Sequence, residues 1–190
     1  METLFALDHG ALAVDARFGA FARELGAFTR LDFAPAFNRY AREACRLWRK
    51  HFPQPLGRVS GAFHDLARRL GQGGEGLIST SWGGVAVTYH EPPKVEKYLV
   101  IGQGGYLALE KHEEKDERLE VKEGAGLILF RYAPDRPLLL KALFPGAQYH
   151  FEPGMEHCLI GTENLLVYER STDPKGMDQD LIFIFRPDAA

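Results

Sequence analysis

The stretch Gly104–Gly124, GGYLALEKHEEKDERLEVKEG, decides how the chain is read. Its second half looks like a solvated charge run, but the spacing of its residues describes a hairpin. Side chains on a strand alternate between two faces, so in YLALEKH the residues Ala108, Glu110 and His112 share one face while Leu107 and Leu109 share the other. Glu113, Glu114, Lys115 and Asp116 then make a polar, solvated turn. The chain returns as ERLEVKEG, with Glu117, Leu119 and Val121 on a common face, and pairing about the turn brings Glu117 beside His112. Burying these groups is costly unless something compensates them, and a metal ion would do so. Imidazole nitrogen with carboxylate oxygen suits Zn, Mn, Fe, Co or Ni. From spacing alone the hairpin either faces water or conceals such a site.

From about residue 77 onward the sequence continues in the same manner. The runs GVAVTYH, KVEKYLVI, AGLILFRY, PLLLKALF, AQYHFEP, HCLIGT, NLLVYERS and LIFIFRP join the two halves of the hairpin as short β segments between turn residues. Ten such runs without intervening helices predict a mainly β sandwich or barrel, and an antiparallel jelly roll is the natural architecture. A further ligand is expected at His157, which follows the Pro153-Gly154 turn, with His150 as a weaker fourth candidate.

The spacing of Gly104, Glu110, His112, Glu117 and Gly124 resembles the first motif of the cupins, and PGMEH (Pro153–His157) resembles the second. SWGG, PKVEKYLVIGQGGYLALEKH, ERLEVKEGAG and EPGMEHCL are similar in order and spacing to the cupin domain of mannose-6-phosphate isomerases, over about residues 81–180. The resemblance implies a cupin-type jelly-roll barrel with Glu110, His112, Glu117 and His157 as ligands of a divalent metal. Glu110 stands where those isomerases commonly carry Gln and cupins generally His. No terminal Tyr-Gly-Arg sequence is present.

Residues 1–75 match no family. They read as a helical extension, with the glycine-rich GQGGEG marking its boundary with a barrel domain over residues 76–190. In LAVDARFGAFARELGAFTR the residues Val14, Phe18, Phe21, Leu25 and Phe28 form one apolar face. In APAFNRYAREACRLWRKHF, Phe37, Tyr40, Ala44, Leu47 and Trp48 form another, opposite the basic residues Arg39, Arg42, Arg46, Arg49 and Lys50. A third short helix is expected in VSGAFHDLARRL, with His64 as a structural residue.

Composition narrows the possible functions. A formal charge of −3 and a pI near 6.2 argue against a general nucleic-acid binder. The charge is uneven: residues 1–75 hold eleven Lys/Arg against eight Asp/Glu, residues 76–190 twelve against eighteen, which favours docking of the two parts. Cys45 and Cys158 lack any CxxC spacing, so no disulfide framework or thiolate zinc site is expected, and a reducing cytoplasm fits. No apolar run reaches the ~20 residues of a membrane span, and the N-terminus lacks the pattern of a signal peptide.

The expected function is that of a metal-binding cupin acting on a small molecule, a sugar or sugar phosphate, as an isomerase or epimerase. Lys97, Lys111 and Arg118 are candidate catalytic residues, and Lys94 and Arg170 candidate anion contacts. The alternatives are a non-catalytic sugar-binding cupin and a non-haem metal dioxygenase. A homodimer is expected.

Overall fold

A computed structural model describes residues 5–28, 30–31 and 34–188. Residues 1–4, at the start of the segment read for a leader, and Thr29, near the end of the first expected helix, lie outside them. The N-terminal part opens with strand β1 (Phe5–Asp8), whose Phe5 and Leu7 are buried. The first expected helix is divided into α1 (Gly10–Ala13) and α2 (Gly19–Leu25), followed by a 3-10 turn (Gly26–Phe28) and the two-residue strand β2 (Arg30–Leu31). Asp15 is the local cause of the division. Its carboxylate accepts the Arg17 backbone N–H at 2.9 Å and pairs with the Arg17 guanidinium at 2.7 Å, so the side chain competes with the helix for backbone partners. Val14, expected on the buried stripe, is consequently 86% exposed, whereas Phe18, Phe21 and Leu25 are buried.

Helix α3 (Ala34–His51) buries Phe37, Tyr40, Ala44, Leu47 and Trp48 and turns its arginines to solvent. Helix α4 (Gly61–Gln72) starts at Ser60, whose hydroxyl accepts the Ala62 N–H. Its Phe63 and Leu70 pack with Val100 and Leu166, and His64 is exposed.

Eleven strands follow: β3 (Leu77–Thr80), β4 (Gly83–Glu91), β5 (Lys94–Ile101), β6 (Leu109–His112), β7 (Asp116–Gly124), β8 (Gly126–Arg131), β9 (Leu138–Leu143), β10 (Gln148–Phe151), β11 (Glu156–Ile160), β12 (Leu165–Thr172) and β13 (Leu181–Phe185). Ten of them coincide with the runs read from the sequence. One sheet has the order β13-β6-β11-β8-β9-β1-β2 and the other β10-β7-β12-β5-β4-β3. Within them, β5 to β12 form two four-stranded sheets, β6-β11-β8-β9 and β10-β7-β12-β5, all antiparallel. This strand order defines an eight-stranded jelly roll, the architecture expected from the sequence.

The two sheets differ in what covers them. In β7 the buried Glu117, Leu119 and Val121 alternate with the exposed Arg118 and Lys122, as in a sheet with one wet face. Strand β8 is buried along its whole length. Its Ile128 and Phe130 face the barrel interior, while Leu127 and Leu129 belong to a second core shared with Phe18, Phe21, Phe37 and Trp48. Helices α1 to α3 therefore cover the outer face of one sheet, α4 packs on the outer face of the other, and β1 extends the first by pairing in parallel with β9.

Candidate functional site

The barrel interior has an apolar end and a polar end, set by three strands whose inward positions change character along their length. On β5 the inward row runs Ile101, Leu99, Lys97; on β12 Leu165, Val167, Glu169; on β7 Val121, Leu119, Glu117. Cross-strand pairing puts Lys97 opposite Glu169 and Glu117 opposite Ser171. Strands β6 and β11 close the polar end from the other sheet, with Glu110 paired to His157. The resulting cavity, about 510 Å³, is lined by Glu110, His112, Glu117 and His157, all four of the expected ligands. Trp82, Leu99 and Leu159 are among its apolar walls, and Leu107, expected on the opposite face from Glu110, lines it as well because regular pairing of β6 starts only at Leu109.

Of the remaining candidates, Lys97 is buried in this cavity. Lys111 projects from the opposite side of β6 to Glu110 and His112, and Arg118 and Arg170 stand on the exposed outer face of β7 and β12. Lys94 is exposed at the start of β5. His150 lies outside the barrel and pairs with Asp116 at 2.7 Å.

Lys115 departs most from its expected place. Read as part of a solvated turn, it is 2% exposed and points into the barrel. Its ammonium lies 2.5 Å from Glu117 Oε2, 2.7 Å from Glu169 Oε1, 2.7 Å from Asp178 Oδ1 and 3.5 Å from His112 Nε2. The turn Glu113–Asp116 can bend inward because Asp180 holds it there: one carboxylate oxygen accepts the backbone N–H groups of Glu114 and Lys115 at 2.7 and 2.9 Å, and the other meets His112 Nδ1 at 2.8 Å. Asp178 bridges Lys115 and Lys97.

Burial alone would make every one of these charges unfavourable, and their mutual arrangement decides which survive. For Lys115, burial favours the neutral amine, but Glu117, Glu169 and Asp178 outweigh it and hold the ammonium well above its ordinary pKa. Burial likewise opposes ionisation of Glu117, and the charges of Lys115 and His157 reverse this, holding the carboxyl well below its usual range. Asp178 is brought down to about 2, since the two lysines override its desolvation. Glu110 lacks such a cation in hydrogen-bond reach. Desolvation dominates there, only partly offset by His157, and lifts its carboxyl to about 7.

The donor set suits a divalent transition metal. With Asp180 accepting from Nδ1–H, His112 presents the Nε2 lone pair to the cavity, the carboxylate–histidine arrangement common behind metal-bound imidazoles. His157 Nε2 stands 2.7 Å from Glu117 Oε1 without hydrogen-bond alignment, leaving that buried oxygen unsatisfied. As the side chains stand, however, no group of three His, Cys, Asp or Glu among the described residues is arranged to hold a metal. The Lys115 ammonium occupies the place between His112 and Glu117.

Sequence reasoning missed Lys115, Glu169, Asp178 and Asp180. Glu169 carried a usable signal, a charged residue in phase with the inward Leu165 and Val167. Asp178 and Asp180 lie in STDPKGMDQD, a loop whose periodicity announces nothing.

No protein-family model matches the chain, and no curated protein matches it in sequence. Several solved structures are similar to part of it. The capsular polysaccharide assembling protein CapF from Staphylococcus aureus matches at TM-score 0.49 and 17% identity, over 56% of this chain and 33% of that one, so the chain spans about a third of CapF. An oxalate oxidase matches at TM-score 0.45 and 17% identity, over 56% and 57%. KdgF from Halomonas sp. matches at TM-score 0.40 and 18% identity, over 47% and 79%. The jelly roll is fixed by this chain's own strand order. No helix among the described residues is long and apolar enough to cross a membrane.

Proposed function

We propose that the cavity binds a small polyhydroxylated molecule, a sugar or sugar phosphate, and catalyses its isomerisation or epimerisation with the help of a divalent metal held by Glu110, His112, Glu117 and His157. The observation that supports this reading is the convergence of those four side chains on one cavity, with His112 oriented from behind by Asp180. When bound, the metal would supply Lewis acidity toward a carbonyl or hydroxyl oxygen. The protein's own groups supply the rest. Trp82, Leu99 and Leu159 present apolar surface for the faces of a sugar chain, and the buried ammonium of Lys97 offers a charge for an anionic oxygen.

Incubating metal-supplemented protein with a panel of aldoses, ketoses and their phosphates, followed by chromatography, tests the reaction. Interconversion of at least one pair is expected, and none across the panel would overturn the catalytic reading. Elemental analysis of the protein beside a His112→Ala, His157→Ala double variant tests the centre itself. The wild type should retain added metal and the double variant should not; equal metal content would remove the ligand assignment.

One observation favours a second reading, a non-catalytic sugar-binding barrel: Lys97 and Lys115 already neutralise carboxylates that would otherwise require a metal. Ligand-induced thermal stabilisation without turnover, unchanged by a chelator, would distinguish it.

A further inference from the structure

We infer that Lys115 and a divalent cation are alternative occupants of the same point in the barrel, so that the side chain of Lys115 is a tethered internal cation that metal must displace. This rests on the metal-site reading above. His112 Nε2 and Glu117 Oε2 are 3.9 Å apart, close to twice the ~2.1 Å reach of a metal–nitrogen or metal–oxygen bond. Both atoms belong to residues that would hold the ion. Lys115 Nζ already lies 3.5 Å from the first and 2.5 Å from the second. A cation placed between them falls inside the contact distance of the ammonium, and two positive centres cannot share that space.

The surroundings show that the ammonium is seated there by design of the fold. Lys115 spans from the hairpin turn to three carboxylates on three separate elements: Glu117 on β7, Glu169 on β12 and Asp178 in the loop before β13. Of these, Asp178 is the partner able to let go. Its side chain is 28% exposed where the other two are nearly inaccessible. Met177 and Asp178 both hold left-handed backbone, φ 50° and 61°, a conformation that non-glycine residues adopt at a cost. A local movement of this loop would relieve that conformation, release one carboxylate from Lys115 and open a route for the side chain to withdraw. Glu117 would then exchange a singly charged ammonium for a doubly charged metal ion.

Affinity for Zn²⁺ and Mn²⁺, measured by isothermal titration and by competition with a chromophoric chelator, tests the exclusion. Lys115→Met should bind one ion per chain at least tenfold more tightly than wild type, and its melting temperature should fall in chelator and recover with the ion. Lys115→Arg, which keeps a cation, should remain as weak as wild type. Lys97→Met is the control for charge alone. Lys97 belongs to the same network through Glu169 and Asp178, yet pairs with neither His112 nor Glu117, so its variant should gain far less. Equal affinity in wild type and Lys115→Met, or an equal gain in Lys97→Met, would overturn the inference while leaving the metal site standing. No binding by any variant would remove the metal reading and the inference with it. Should Lys115→Met not fold without metal, refolding with Zn²⁺ but not with chelator supports the exclusion, and refolding with neither overturns it.

Discussion

Glu110 is the residue at which the chain departs from the pattern it resembles, and its environment gives that departure a measurable consequence. The folded barrel raises its carboxyl from an ordinary 4.5 to about 7, chiefly by burial. A raised carboxylic acid binds its proton more tightly folded than unfolded, so stability is highest below about pH 4.5 and declines as pH rises toward 7. In metal-free protein Glu110→Gln should therefore be indistinguishable from wild type near pH 4.5 and more stable at pH 8. The gain should be about 2 kcal/mol, less than the full shift implies because the carboxyl lines a cavity that water can enter. Urea unfolding at a series of pH values checks this; parallel profiles for the two proteins would contradict the assigned environment. The sequence showed Glu110 and His112 on an inward face because alternation along a strand is strict. It gave no sign that Lys115 would join them, because a turn has no alternation and the backbone anchor that folds it inward, Asp180, comes from 65 residues further along.

Among the elements, β7 was the most legible in the sequence, and the glycine closing it shows why. Gly124 has φ +82°, and a Cβ there would lie 1.7 Å from the carbonyl oxygen of Asn164. Only glycine fits, so the residue marks the strand end in sequence as firmly as in space. Helix α3 was equally plain from its apolar stripe, but where it docks was not, because a stripe does not say what it meets. Glu163, beyond the end of β11, answers that question. Its carboxylate accepts the Trp48 indole N–H at 2.9 Å and the backbone N–H groups of Leu56 and Gly57 at 2.8 and 2.9 Å. One buried side chain thus ties the helix and the segment after it to the barrel. Glu163→Ala leaves three donors without that acceptor and should cost roughly 3 kcal/mol. The loss should register as a lower denaturation midpoint with an unchanged slope, and a midpoint within experimental error of wild type would show that water replaces the carboxylate.

At the scale of the molecule, residues 76–190 were expected to form a barrel domain with residues 1–75 as a helical extension docked on it, and the packing argues for what happens when the barrel portion is isolated. Leu127, Leu129, Leu138, Leu140, Cys158 and Ile160 are buried on the side of their sheet that faces away from the barrel interior, in one core with Phe21, Phe37 and Trp48 from the helices. Alternation in PLLLKALF and AGLILFRY was blurred for this reason: strands covered on both faces have little polar phase to display. Removing residues 1–75 would strip that face, take β1 from the edge of β9 and leave Glu163 without Trp48, Leu56 and Gly57. An apolar surface of this extent on a sheet invites association. Residues 76–190 expressed alone should thus elute as aggregates in size-exclusion chromatography or unfold well below the full chain. Adding residues 1–75 as a separate peptide should restore part of the monodisperse species. A monodisperse fragment unfolding with the full chain's midpoint would mean that the helices decorate a barrel that is stable without them.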